Sequence, residues 1–384
     1  MDSAKRFILS IVAFTLIIIT LARASNMLKV SGGEDHTLVL AENKFVWACG
    51  ANYSYQLGTD NSQDQWTLIQ VEGGAMGTPH LQDINNIAAG WMHSLALDTS
   101  DFVWAWGDDS CGQLGNGPGG SSSTPIQPLG GEMGTQYLQN IIAISAGRSG
   151  KHSLAMDVNS LVYAWGYNKY GQCGNDVNDT NELTPVRVIR GEQPQDVNNP
   201  NLYLKHIVAI FAGADQSMAM EKDDPNDPNF NGCVYTWGTN QWGDEEYEQG
   251  WIPFGNGLLG TGSDANFSDT PVKVHGVNDV NFLEHIVAIA AGWDHCMALE
   301  RDDPFNPSWQ CPTCKGRVYT WGNNGLGFGG GPSSPSVGGR LGDDTTISRS
   351  TPVLVLKGRQ DTSNIELSGT HCRHSGGRGP FNGS

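Results

Sequence analysis

Positive charge and cysteine are both scarce in this sequence of 384 residues. Lysine and arginine together number 22 against 40 aspartate and glutamate residues, which gives a formal net charge of −18. Contact with a phosphate backbone or an anionic lipid surface depends on clustered lysine and arginine. We therefore expect no nucleic acid among the partners and no attachment of the mature chain to a membrane. The eight cysteines are too few for a disulfide scaffold of this length.

Long apolar runs are also rare, and the run near the N-terminus is short. It covers residues 7–21, follows a basic pair at 5–6, and precedes the small-x-small tripeptide 22–24. These features are typical of a secretory signal peptide, whose apolar core is shorter than the ~18 residues of a membrane span. We expect residues 1–24 to be removed and the protein to be secreted. The alternative is an uncleaved anchor.

Motifs of catalysis, cofactor binding and metal binding are missing. No G-x-S-x-G elbow is present, and glycine-rich stretches such as 325–331 do not join a strand to a helix, as a phosphate loop would. The acidic stretches 223–228 and 301–307 do not match the calcium loop pattern, so solvated turns are expected there. Cys311 and Cys314 lack a second such pair for zinc and are candidates for a local disulfide. We predict no catalytic residue, cofactor or metal.

Glycine is abundant, with 50 residues, and much of it recurs at fixed places. An Ala-Gly or related pair is followed by His or Gln, then by Trp-Gly or Cys-Gly, then by a Gly-Gln-Leu-Gly-like segment. A period in the tens of residues indicates a repeat architecture. The glycines of the opening pairs are Gly33, Gly90, Gly147, Gly213 and Gly292.

Each copy divides into short strands separated by Gly, Asn, Asp and Pro turns, and helical periodicity is nowhere sustained. In the second copy we predict strands at 93–97 and 102–106, a third opening at 124, and a fourth at 141–145 that leads into the next Ala-Gly. One ring of each aromatic pair, such as Trp104 and Trp106, should pack between neighbouring sheets. The residue at the His position recurs in every copy and is therefore expected to be structural rather than catalytic. This position holds His36, His93, His152, Gln216 and His295.

Four segments of the second copy together resemble the repeat of the regulator of chromosome condensation family. They are the Ala-Gly-x-x-His-Ser-Leu-Ala-Leu segment ending at Leu97, Val-x-x-Trp-Gly at 103–107, Gly-Gln-Leu-Gly at 112–115 and Thr-Pro at 124–125. The resemblance covers nearly all of residues 28–369. It implies an all-β fold, a β-propeller built from four-stranded blades.

Members of that family usually have seven blades, and this chain departs from that number. It has five full repeats plus a partial sixth at 365–369, which His371 follows. We expect an incomplete ring. The alternative is that five blades close and one strand copy is redundant. The propeller is assigned to residues 27–369, and an irregular tail to residues 370–384.

The founding activity of the family is nucleotide exchange on a small GTPase with docking to chromatin. The signal peptide and the acidic surface oppose that activity here. We expect an exported, non-enzymatic propeller that binds an unidentified protein, or a glycan. The alternatives are an extracellular hydrolase or lyase with acidic groups at the central channel, and a structural surface protein.

The residues between each Ala-Gly and the following His vary inside an otherwise constant frame, and all should lie on one rim. Exposed Trp, Met and Arg side chains are typical anchors of protein interfaces. The alternative is that the tryptophans pack on neighbouring blades. The predicted binding residues are Trp91, Met92, Arg148, Trp293 and Asp294.

Overall fold

A computed structural model describes residues 27–194, 202–223, 231–242, 255–301, 316–325 and 339–356. These residues form strands and turns, with short 3-10 turns at Gly74–Met76, Gly131–Met133 and Val277–Asp279. The strands are β1 Met27–Gly32, β2 His36–Ala41, β3 Val46–Gly50, β4 Gln65–Gln70, β5 Ile84–Ala89, β6 His93–Asp98, β7 Val103–Gly107, β8 Ser122–Ile126, β9 Ile141–Ala146, β10 His152–Asp157, β11 Val162–Gly166, β12 Glu182–Arg187, β13 Ile207–Ala212, β14 Gln216–Glu221, β15 Val234–Thr239, β16 Gln241–Trp242, β17 Gly255–Asn256, β18 Phe267–Lys273, β19 Ile286–Ala291, β20 His295–Glu300, β21 Val318–Gly322 and β22 Arg349–Leu354.

The strands of the described ranges form five antiparallel sheets of four strands each. The first three sheets use β1–β4, β5–β8 and β9–β12, the fourth uses β13, β14, β15 and β18, and the fifth uses β19–β22. The short strands β16 and β17 pair with each other inside the long loop of the fourth sheet. The all-β class and the five full repeats predicted from the sequence are confirmed.

The grouping of strands into repeats differs from the prediction by one strand. Ile141–Ala146, expected to close the second repeat, is the first strand of the third sheet. The Ala-Gly turn is a tight hairpin that pairs the strand before it with the strand after it, so that Ala146 lies opposite Ser153. Each sheet therefore begins before its Ala-Gly pair.

The glycine that follows Trp, or Cys49 in the first sheet, lies near the end of the third strand, opposite the first residue of the second strand. Gly107 lies opposite His93 and has a φ of 103°, a conformation that favours glycine. A Cβ there would lie 2.5 Å from the carbonyl oxygen of Met92. The same position recurs at Gly50, Gly166, Gly238 and Gly322, each with a positive φ.

Successive sheets pack face to face around their first strands. β1 packs on β5, β5 on β9, β9 on β13 and β13 on β19, so the first strands are innermost, as in a β-propeller. Four apolar clusters each join one sheet to the next. Within the part of the chain that the structure describes, no apolar cluster joins the fifth sheet to the first.

A buried tryptophan lies in each of the four interfaces between successive sheets. Because residues two apart on a strand share a face, Trp104 and Trp106 point the same way, and both are buried rather than one. Trp104 donates to Asp98 at 2.8 Å, whereas Trp106 donates to the Gln56 carbonyl of the preceding sheet at 3.0 Å. Its counterparts Trp165, Trp237 and Trp321 donate in the same way to the carbonyls of Gln113, Gln172 and Leu258.

The recurring histidines form a ladder of hydrogen bonds between sheets, which supports the structural role predicted for them. His36 Nε2 lies 2.9 Å from Ser94 Oγ, and that hydroxyl donates to the Gln56 carbonyl at 2.8 Å. The hydroxyl therefore accepts the Nε2 proton, and the neutral ring carries its hydrogen on Nε2. His93 pairs with Ser153 and His152 with Ser217 in the same way, each at 3.0 Å.

Several predicted features lie outside the described residues. They are the signal peptide at 1–24, Cys311 and Cys314, the partial sixth repeat at 365–369 with His371, and the tail at 370–384. These stay predictions.

Candidate binding surface

The turns between the first and second strands of the five sheets, called here the A–B turns, carry all the residues predicted to bind. Because the first strands are innermost, these turns lie at one end of the propeller close to its axis. The loops between third and fourth strands lie at the same end, since direction reverses at each hairpin. The A–B turns are residues 33–35, 90–92, 147–151, 213–215 and 292–294.

Direct contacts join the first four A–B turns. Ser149 Oγ donates to Glu34 Oε2 at 2.7 Å, which connects the third turn with the first. The backbone N–H of Trp91 donates to the Gly150 carbonyl at 3.4 Å. A Cβ on Gly147 would lie 2.4 Å from the carbonyl oxygen of Gly213, the corresponding glycine of the fourth turn, so the third and fourth turns are in close contact. These four turns therefore form a continuous surface.

Trp91, Met92 and Arg148 lie on this surface with different exposure. Trp91 is half-buried, and Lys151 of the next sheet places its Nζ 4.6 Å from the centroid of the ring, a cation–π contact. Met92 is half-buried, with its sulfur 3.6 Å from Ser54 Oγ. Arg148 is exposed. Trp91 therefore contacts the neighbouring blade through Lys151, and the residue remains partly accessible.

Trp293 is the more exposed tryptophan of the two, with 49% of its surface accessible. Its neighbour Asp294 is buried and its carboxylate is engaged within the fifth sheet. Asn323 Nδ2 donates to it at 2.9 Å, Arg340 forms an ion pair with it, and His295 Nδ1 lies 3.4 Å away. Burial alone would raise the pKa of Asp294, but these partners hold it below its ordinary value. Asp294 therefore holds the turn that presents Trp293.

The surface also contains residues that the sequence did not single out. The Tyr53 side chain is 51% exposed on the loop after β3, and its hydroxyl donates to Asp35 Oδ2 at 3.4 Å. Partial burial and the negative charge of Asp35 raise the pKa of Tyr53. Tyr53 lies beside the A–B turns because the chain reverses direction at each hairpin. No local sequence motif predicts this position.

Metal clusters and membrane-spanning helices are both missing from the described residues. No group of three or more His, Cys, Asp and Glu side chains is placed there to hold a metal ion. No helix within these ranges has the length and apolar content needed to cross a membrane.

Comparison with known families and proteins gives a consistent result. A model of the RCC1-like domain family matches residues 13–373. The human probable E3 ubiquitin-protein ligase HERC4 is 29% identical over 282 residues, which are 72% of this chain and 20% of HERC4. The mouse E3 ubiquitin-protein ligase HERC2 is 25% identical over 337 residues, which are 86% of this chain and 5% of HERC2. The chain thus spans a fifth or less of the length of these relatives.

Solved structures show the same fold at low sequence identity. Human WBSCR16 superposes with a TM-score of 0.58 at 20% identity, covering 86% of this chain and 67% of that protein. Prp20p from Saccharomyces cerevisiae, which was studied for its binding to Gsp1p and histones, superposes with a TM-score of 0.57 at 20% identity. That match covers 90% of this chain and 65% of Prp20p. At 20% sequence identity the similarity is evidence for the fold alone.

Proposed function

Because this chain belongs to the RCC1-like domain family, we propose that it works as a protein-binding propeller whose contact surface is the A–B turns. The observation that carries this proposal is the exposure of Trp293, at a position where the repeat frame dictates no residue type. The recurring Gly, His and Trp of the second and third repeats are buried in the frame, whereas Trp91, Arg148 and Trp293 of the turns remain at least partly accessible.

The chemistry of the turns suits a protein interface. Trp and Arg are over-represented among the residues that contribute most binding energy, and a rigid backbone lowers the entropy cost of association. Lys151 lies over the Trp91 ring, and Arg148, in the same turn as Lys151, is exposed. Asp294 supports this proposal as a positioning residue for Trp293, because its carboxylate is bonded inside its own sheet.

The partner we propose is an unidentified protein, or a glycan, met outside the cytoplasm after export. The N-terminal basic and apolar pattern of residues 1–24 supports export, and the net charge of −18 opposes binding to nucleic acid. We do not extend the ligase activity of these relatives to this chain, because the chain matches only a small share of their length. We propose that the propeller itself has no enzymatic activity.

The binding proposal is tested with a photo-crosslinking residue at Arg148, which captures whatever contacts the surface. The affinity of the captured protein is then measured for the double variant Trp91→Ala, Trp293→Ala. We expect a loss of at least tenfold, on the order of the 1.4 kcal/mol that defines a tenfold change in affinity.

The matched control is Trp66→Ala, because Trp66 is 84% exposed on β4, the outermost strand of the first sheet. It should bind like the wild type. If the double variant keeps full affinity while its thermal unfolding is unchanged, the A–B turns are not the binding surface. Export is checked separately by N-terminal sequencing of protein recovered from the medium, which should begin at Ser25.

A further inference from the structure

The fifth sheet presents a face that the other four sheets keep covered. In each sheet, a column of side chains on the second and third strands points toward the following sheet. In the second sheet Leu95 and Val103 of this column are both fully buried. Their counterparts in the fifth sheet are Met297, which is 37% exposed, and Val318, which is partly exposed. The face is apolar and is built like the covered ones.

The ladder of hydrogen bonds shows what a following sheet would supply. The side chain at the His position of one sheet meets the residue that comes directly after the His position of the next sheet. Its four rungs are His36 with Ser94, His93 with Ser153, His152 with Ser217 and Gln216 with Cys296. In the last rung Gln216 Nε2 donates to Cys296 Sγ at 3.9 Å, so a thiol can replace the hydroxyl. The ladder then reaches His295, in the fifth sheet.

The chain itself carries a segment with the matching order of residues. Ile365-Glu-Leu-Ser-Gly has the alternation of a first strand and ends in a small residue and glycine, and His371-Cys372 repeats the order of His295-Cys296. The segment is spaced slightly more tightly than the other repeats. Ile365 follows the end of β22 by 11 residues, whereas β5, β9, β13 and β19 follow the end of the preceding sheet by 14, 15, 20 and 13 residues. One residue separates Gly369 from His371, where two separate Gly292 from His295.

We propose that residues 365–372 pack on the exposed face of the fifth sheet as the opening of a sixth, with the Cys372 thiol against His295 Nε2. The segment would bury Met297 and extend the ladder by one rung. It would thereby withdraw an apolar sheet face from contact with other molecules. The inference does not depend on the proposed binding function.

Cross-linking tests the placement directly. Met297→Cys is made in a chain with Cys111, Cys311 and Cys314 changed to serine, which leaves Cys372 and the buried Cys49, Cys173, Cys233 and Cys296. A short bismaleimide is added at low protein concentration. We expect a link between positions 297 and 372 within one chain, identified by peptide mass.

Two controls accompany this measurement. Val158→Cys in the same background places a thiol on the third sheet, at a side chain that is 54% exposed, and should give no link to Cys372. Cys372→Ser should abolish the product at position 297. A link between two chains would show that a second copy covers the face and would overturn the proposal. The proposal is also overturned if the thiols at positions 297 and 372 each react with the bismaleimide but are not linked to each other.

A charge placed on the face gives an independent test. Met297→Asp should release the segment and raise the alkylation rate of Cys372 several-fold, whereas Met297→Leu should leave that rate unchanged. Equal rates in the wild type and both variants would overturn the proposal. Circular dichroism of each variant verifies that the sheets remain folded.

Discussion

Acidification should destabilise this protein steeply, because three histidines are buried in their neutral form and burial opposes their protonation. Burial lowers the pKa of His36 to about 4, of His93 to about 3 and of His152 to about 4. Each ring uses its Nε2 hydrogen in the ladder, and each Nδ1 has no hydrogen-bond partner among the described residues. A second proton would therefore add a buried charge with no acceptor.

Proton linkage sets the sign and the size of this loss. The unfolded histidine has a pKa near 6.5, so between about pH 6.5 and pH 4 the unfolded state binds more protons than the folded state. The stability is fully present above pH 6.5 and is lost as the pH falls. At about pH 5 each of the three should lower the free energy of unfolding by ~2 kcal/mol relative to about pH 7.5. Together they remove ~6 kcal/mol, a large share of the ~5–15 kcal/mol typical of a folded domain.

Urea unfolding followed by tryptophan fluorescence at several pH values between 7.5 and 5 measures this loss. His93→Gln is the informative variant, because Gln216 occupies the same position in the fourth sheet and donates to Cys296. The variant keeps a donor but does not titrate. We expect its loss between about pH 7.5 and pH 5 to be smaller than that of the wild type by ~2 kcal/mol. Identical pH dependence in the two proteins would refute the reasoning.

Three further predictions use urea unfolding near neutral pH. Trp165→Ala should cost ~3–5 kcal/mol because the ring is fully buried between sheets, whereas Trp66→Ala should change stability by less than ~0.5 kcal/mol; similar costs would contradict the packing. Gly107→Ala should cost at least ~1–3 kcal/mol because of its positive φ, while Gly32→Ala, with no atom within 4 Å of the new Cβ, should not destabilise. Asp294→Ala should cost ~1–3 kcal/mol, since it leaves a guanidinium and an amide without their acceptor; an unchanged midpoint would show that the carboxylate does not hold its turn.

The strands were predictable because nearby residues mark where each strand begins and ends. Gly, Asn, Asp and Pro turns separate short β-branched and aromatic stretches, and strand formation depends mainly on such neighbours. The grouping into sheets was not predictable in the same way. A repeat has no marked beginning, so its sequence alone does not say whether the strand at Ile141–Ala146 pairs backward or forward. Pairing is decided by which turn is tight, and here that turn follows the Ala-Gly pair.

The candidate surface was predictable in part. Trp91 and Trp293 stand out as variable residues inside a constant frame, and both lie on the A–B turns. The environment of Trp91 was not predictable, since Lys151 reaches it from the next sheet. The engagement of Asp294 by Arg340 joins positions 46 residues apart, and only folding brings them together.

By itself, the sequence determined the all-β class, the five repeats and the residues that each repeat keeps, because turn chemistry and strand alternation act over a few neighbouring residues. Only the tertiary structure decided which recurring residues connect sheets and which variable ones remain accessible. Burial and hydrogen bonding between sheets depend on contacts between residues far apart in the sequence, such as His36 and Ser94, which are 58 positions apart. The same dependence leaves the apolar column of the fifth sheet partly exposed, since its burial requires a neighbouring sheet and is not a property of its own residues.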